Sequence, residues 1–229
     1  MASYKLFGLI PRKPELTSEE FHDYYRHPHG TMGRNVTTMR AYVQSHQIHT
    51  DKLGSDQNVF EAVAEVWMDN LEDINNFRTE RIIKKYILED EPIFIDMERL
   101  EFFIGEEEVV TSGPRQEIGL HPGDELWNPA NRPTSVKLLH FIRPDGNPDW
   151  ASPDDKEIGL ELGALRHVRC HPFRDFHGES PSFLGVQELW WPSRTVFHRA
   201  VEAKSAVFRE FLERAGNSVT LLANAERWI

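Results

Sequence analysis

Tyr4 to Ile10 is a β-type apolar run closed by Pro11 and Pro14, so the chain opens on a strand. Leu16-Thr17-Ser18-Glu19-Glu20-Phe21 then reads as a capping box, with Thr17 as N-cap, Glu20 three residues on, and Leu16 and Phe21 as a hydrophobic staple. The helix it starts carries Phe21, Tyr24 and Tyr25 on one side. It must stop near His27, because Pro28 disfavours α geometry at the residue before it; Gly30 permits the turn. Strands follow near Arg40 to Ile48 and Phe60 to Met68, then helical segments from Asn70 to about Asp90 with a break near Arg78, and a strand near Leu100 to Ile104.

The pattern then repeats. Phe60-Glu-Ala-Val-Ala-Glu-Val-Trp67 aligns without gaps on Phe183-Leu-Gly-Val-Gln-Glu-Leu-Trp190. Tyr42-Val-Gln-Ser-His46 matches His167-Val-Arg-Cys-His171, and Lys5-Leu-Phe-Gly-Leu-Ile10 matches Lys137-Leu-Leu-His-Phe-Ile142, in the same order. Three collinear matches point to a duplication. The second half predicts strands near Val136 to Arg143, Arg166 to Phe173, Phe183 to Trp191 and Val219 to Ala223, with a long helix from Arg194 to Ala215 and a poorly patterned stretch from Asp149 to Gly163. Each half is a βαββαβ unit of the ferredoxin-like kind, which leaves one sheet face without helices. Two such faces bury each other, so the expected fold is α+β, a pseudo-dimeric eight-stranded α-β barrel within one chain. Residues 1–108 form the first repeat, 109–134 a linker or lid rich in Gly, Pro and Glu, and 135–229 a degenerate second repeat.

Composition narrows the partners. The net charge of −11 argues against a nucleic-acid backbone, which needs clustered cations. The 39% hydrophobic content, with 14 Phe and 6 Trp, suffices for a core. One cysteine, Cys170, excludes an intrachain disulfide. The first residues offer too short an apolar run for a secretion signal or a membrane span. A cytoplasmic protein with no membrane partner is the expectation.

The stretch Lys5-Leu-Phe-Gly-Leu-Ile-Pro-Arg-Lys-Pro-Glu-Leu-Thr-Ser-Glu-Glu-Phe21, then Tyr24-Tyr25-Arg26, His29-Gly30, Tyr42-Val-Gln-Ser-His46 and Ala64-Glu65-Val66-Trp67, resembles the EthD family of the dimeric α-β barrel superfamily. The resemblance covers Tyr4 to Ile104 well and the rest only as a degenerate copy. It implies a small-molecule pocket in the barrel, worked without a metal or organic cofactor outside the haem branch of the superfamily, and it leaves a homodimer open. The second half lacks the capping box and the Tyr-Tyr-Arg element, so the first half is expected to hold the complete pocket.

The candidate chemistry sits on strands. Tyr42, Gln44 and His46 share one face by alternation, with His167, Arg169 and His171 at the matching places of the repeat. On the next strand Phe60, Ala62, Ala64, Val66 and Met68 form an apolar row to lie under helices, which leaves Glu65 and Trp67 facing the barrel. His29, in a turn after a helix, is raised as a pocket residue by the resemblance at His29-Gly30. The expected catalytic set is His29, His46, Tyr42 and Glu65, with Tyr25, Gln44, Trp67, His167, Arg169, His171 and Trp190 around the substrate. His29 and His46 are expected to share a cavity, with Glu65 beside His46 as an acid/base partner. No metal is expected: His27-x-His29 and His46-x-x-His49 are pairs, whereas a site needs three or four converging ligands.

Two functional classes fit. One is a cofactor-independent acid/base enzyme of lyase, isomerase or cyclase type, acting on a small hydrophobic, aromatic or carbonyl-containing metabolite. The other is a haem-type or non-catalytic small-ligand-binding barrel.

Overall fold

The structure is a computed structural model that describes residues 4–112 and 134–229. Most of the 109–134 linker or lid therefore lies outside the described residues. Eight strands close into one barrel in the order β1-β3-β2-β8-β5-β7-β6-β4. They are β1 (Tyr4–Ile10), β2 (Ala41–Gln47), β3 (Ala62–Met68), β4 (Glu101–Ser112), β5 (Thr134–Ile142), β6 (Arg166–Pro172), β7 (Gly185–Trp191) and β8 (Ser218–Arg227). Each half supplies a four-stranded antiparallel sheet, and the edges join as β2 with β8 and β4 with β6. That closure removes every exposed sheet edge. β4 outruns its expected end at Ile104 because β6 pairs with it as far as Ser112.

The Thr17–Glu20 capping box forms and starts α1 (Ser18–Tyr24). A π-helical turn, Tyr25–Gly30, follows, with His27 extended ahead of Pro28, and the chain runs on into α2 (Thr31–Gly33). The helical stretch after β3 breaks at Arg78 as expected, between α3 (Leu71–Phe77) and a helix that passes through a π turn, Ile83–Ile87, into α4 (Leu88–Phe94). In the second half the poorly patterned stretch contains α5 (Asp155–Glu161), and α6 (Arg174–His177) follows β6. The single long helix expected from Arg194 to Ala215 is two, α7 (Arg194–Ala203) and α8 (Ser205–Arg214), parted where Lys204 leaves helical geometry.

Alternation divides every strand between two environments. Phe7, Leu9, Val63, Phe103, Leu139, Phe141, Val168, Val186 and Leu221 fill the barrel, joined by Phe60, which precedes β3 and turns inward rather than lying under helices. At the level of Lys5 this apolar filling gives way to charge. Lys5, Glu65, Lys137 and Glu188 are all fully buried. Lys5 Nζ lies 2.6 Å from both Glu65 and Glu188, and Lys137 pairs with the same two carboxylates. Ser45 Oγ donates to Glu65 at 2.5 Å, and Cys170, its repeat counterpart, lies 3.4 Å from Glu188. The ammonium groups also sit over Trp67 and Trp190, at 4.1 and 3.8 Å from the ring centres. Burial works to raise the Glu188 carboxyl, but Lys137 and Lys5 overcome it and hold it at about 2.

On the outer face of the second half the helices cover a buried polar set. His140 Nδ1 lies 2.6 Å from Thr220 Oγ1, and His167 Nε2 donates to Gln187 Oε1 at 2.6 Å. Burial lowers His140 to about 4 and also lowers His167.

Removing one member of the charge cluster leaves an uncompensated buried charge, so Lys137→Met should cost about 3–5 kcal/mol in urea unfolding, whereas replacing all four residues by apolar ones of similar volume should be near neutral. A loss below about 1 kcal/mol for Lys137→Met would contradict this reading of the cluster. A second outcome concerns pH. His140 is neutral when folded, and its folded value lies below the ordinary 6.5, so its contribution is present above 6.5 and falls as pH drops toward about 4. Between pH 6.5 and 4.5 unfolding free energy should fall by up to about 1.4 kcal/mol per unit for this group. The double variant His140→Leu, Thr220→Val should flatten the slope, and an unchanged slope would exclude His140 as its source.

Candidate functional site

A cavity of about 180 Å³ lies between the outer face of the first-half sheet and the helices that cover it. Leu6 and Gly8 of β1, Tyr42 of β2 and Ala64 and Val66 of β3 form its floor. Ile74 of α3 and Ile83 and Ile87 of the π turn close it from above, and Phe176 of α6 reaches it from the second half. The polar groups on this apolar wall include His29, Tyr42, Arg78 and Glu91. The floor is open because β1 and β3 present Gly8 and Ala64 there, where the repeat places His140 and Gln187.

His29 is delivered by the turn after α1. Gly30 lets that turn rest on the strand: a Cβ there would lie 2.9 Å from Gln44 Nε2 and 3.0 Å from the Trp228 ring. A Cβ at Gly33 would meet the Tyr42 ring at 2.9 Å, so this glycine admits Tyr42 beneath α2. The His29 ring packs 4.9 Å from Phe94 and 5.5 Å from Tyr25, and it is 7% exposed. Its Nδ1 lies 2.8 Å from Asp90 Oδ2, while Tyr24 Oη donates to Asp90 Oδ1 at 2.7 Å. Burial first, then Asp90, pushes the Tyr24 hydroxyl up to about 12. Asp90 thus holds the imidazole as the Nδ1–H tautomer and leaves Nε2 as a base, the arrangement of an oriented acid/base histidine.

Two more groups at the cavity have displaced proton affinities. Burial raises the Glu91 carboxyl, although His29 and Arg78 nearby work the other way. Burial likewise pushes Tyr42 up to about 12, although the hydrogen bond from Gln44 and the nearby Tyr25 hydroxyl work the other way. Tyr42 is therefore a neutral phenol at physiological pH, able to donate.

The structure divides the residues singled out in the sequence. Tyr42, Gln44 and His46 do share a face, but it is the helix-covered face and not the barrel interior. Register explains the correction: Val43 stands opposite Glu65 and Gln44 opposite Ala64, so the inward set on β2 is Val43 and Ser45. Glu65, Trp67 and Trp190 face the barrel as expected, yet there they belong to the buried charge cluster, across the sheet from His29 and His46. His46 does not reach the cavity. The Tyr25 ring stands between the two histidines, 5.5 Å from His29 and 5.2 Å from His46, and His46 Nδ1 lies 2.9 Å from His22 Nδ1. His167, Arg169 and His171 lie on the outer face of the second half, where Arg169 and His171 bond Glu108.

Asp90, Glu91, Arg78 and Tyr24 escaped the sequence reading. Asp90 and Glu91 sit in the acidic run Glu89-Asp90-Glu91 at the expected end of the helical stretch; in the structure the helix continues from the π turn into α4, with Asp90 only 7% exposed. For metal binding, His27 Nδ1 is bonded to Thr31 and His29 Nδ1 to Asp90, so that pair does not converge. Among the described residues Glu107, Cys170 and Glu188 have ligand atoms within 4.8 Å of one another, but Glu188 already neutralises two lysines. No helix of the described residues is long and apolar enough to cross a membrane.

Residues 13–98 match the family model for the EthD domain. No curated protein matches the chain. Among solved structures, an anthrone oxidase-like protein is 13% identical with a TM-score of 0.56, over 99% of this chain and 93% of that one. An EthD family protein from Bacillus halodurans C-125 is 22% identical over 47% of this chain and 100% of that one, with a TM-score of 0.39. A chlorite dismutase variant from Candidatus Nitrospira defluvii is 12% identical over 99% and 92%, with a TM-score of 0.47. Residues 13–98, in the first half, thus carry the EthD domain, and both halves together close an eight-stranded α-β barrel.

Proposed function

We propose that the protein is a cofactor-independent enzyme that moves a proton at carbon on a small apolar metabolite, as a lyase, isomerase or cyclase does. The observation that carries this reading is the Asp90–His29 pair at the wall of an otherwise apolar cavity. Asp90 orients His29 and stabilises the imidazolium that forms when Nε2 takes a proton. The apolar wall excludes water, which strengthens that electrostatic support. Tyr42 and Glu91, both with raised proton affinity, are the groups that can return a proton or support developing charge on the substrate. His46 acts from outside the cavity, and Glu65 leaves the catalytic set for the barrel's charge cluster. The anthrone oxidase-like neighbour supports a small-molecule enzyme at the level of the fold.

The haem reading has one feature in its favour, since a carboxylate at Nδ1 also suits a metal-ligating histidine. The volume speaks against it: about 180 Å³ is less than the ~300–1,000 Å³ of pockets that hold drug-sized ligands. A Soret band in haem-supplemented protein would favour the haem reading over the one proposed.

Proton transfer is measurable without the natural substrate. Acetophenone in D₂O should exchange its methyl protons faster with the protein than in buffer, followed by NMR. His29→Ala should slow the protein-dependent exchange by about 10²- to 10⁴-fold, the usual cost of a lost general base. Asp90→Asn should slow it less. Exchange that ignores His29→Ala would refute the assignment.

A further inference from the structure

A directional hydrogen-bond chain reaches the cavity from the edge of the first-half sheet. Gln44 Nε2 donates to the Tyr25 carbonyl at 2.7 Å and to the Tyr42 hydroxyl oxygen at 2.9 Å. The carbonyl can only accept, so the amide orientation is determined, and Gln44 Oε1 faces His46 Nε2 at 3.3 Å. His46 must then carry its proton on Nε2, a placement that Glu226 at 3.6 Å also favours. Its Nδ1 is consequently the acceptor in the 2.9 Å contact with His22, whose Nδ1–H donates. His22 Nε2 in turn lies 3.3 Å from Glu61, a carboxylate that also bonds Arg12 and Ser18.

From His22 inward, every donor in this chain therefore points toward Tyr42, while the Glu61 carboxylate accepts at the outer end. Burial, with the charges of Arg26 and His22, lowers His46 to about 2, so it stays neutral and the direction does not reverse. Tyr42 receives a hydrogen bond on its oxygen and keeps its own proton to give. Among the described residues no hydrogen bond takes that proton.

We infer that the cavity selects a small apolar molecule bearing a carbonyl oxygen, which accepts a hydrogen bond from Tyr42, and that Gln44, His46 and His22 are positioning residues holding Tyr42 as the donor. This rests on the proposed function and supplies its missing half: the base takes a proton from carbon, and the phenol supports the negative charge that develops on the neighbouring oxygen. No net atom or electron transfer is needed, since the proton removed at His29 Nε2 returns to the substrate carbon framework.

The test compares two probes of matched shape on the full chain, acetophenone and ethylbenzene, by equilibrium binding, with the infrared stretch of ¹³C-labelled acetophenone carbonyl as a second readout. The wild-type protein should prefer acetophenone by roughly tenfold, the worth of one net hydrogen bond, and lower its carbonyl frequency relative to an apolar solvent. Tyr42→Phe should bind ethylbenzene as before and lose both the preference and the shift. His46→Leu should weaken both with ethylbenzene affinity kept, and His46→Gln, which can accept from His22 and donate to Gln44, should restore them. Ethylbenzene binding without any preference for the ketone would overturn this inference alone. Failure to bind either probe would overturn the cavity reading and this inference with it. Should Tyr42→Phe not fold, an unshifted carbonyl in the wild-type complex is enough to reject the donor role.

Discussion

Four fully buried charges inside the barrel set the terms for the rest of the molecule. Lys5 and Lys137 each touch both Glu65 and Glu188, and the four come from strands β1, β3, β5 and β7, two in each half. A hydrophobic interior would tolerate small slips of one sheet against the other. This one does not, because a shift that separates any ammonium from its carboxylates strands a charge in a medium where it costs several kcal/mol. The cluster thus specifies register between the halves more than it adds stability. It also fills the barrel interior at this level, while the cavity lies on the outer, helix-covered face of the first half.

Much of that frame could be read from the chain itself. The Phe-x-x-Val-x-Glu-(Val or Leu)-Trp repeat carries the Glu and Trp of the cluster, and Lys5 and Lys137 head the matched first strands, so the motifs that reveal the duplication are the same residues that hold it together. Alternation also placed Glu65 and Trp67 correctly. What failed was the assignment of β2. A strand buried on both faces gives no contrast between its sides, and all seven residues of β2 are buried. Only its register with β3 decides, and register is a property of two strands.

The site was half legible for a related reason. His29 could be singled out because it lies in a local turn after a helix and the family resemblance falls on His29-Gly30. Asp90, its partner 61 positions on, lies in an acidic run whose periodicity suggests solvent, and a π turn upstream rotates it under the helices. Long-range partners brought in by a helix irregularity leave no trace in a window of neighbouring residues. The same holds for the contact of His22 with His46, 24 residues apart, on the far side of the Tyr25 ring from His29.

The outer faces of the two halves differ at four matched positions. Gly8, Tyr42, Ala64 and Phe102 surround a cavity in one, while His140, His167, Gln187 and Thr220 stand at the same places in the other. In a homodimer each of these changes would appear twice, and filling one cavity would fill both. Joining the two copies in a single chain frees them from that symmetry. One face can be kept hollow while the other is filled, and a change in one need not be repeated in the other.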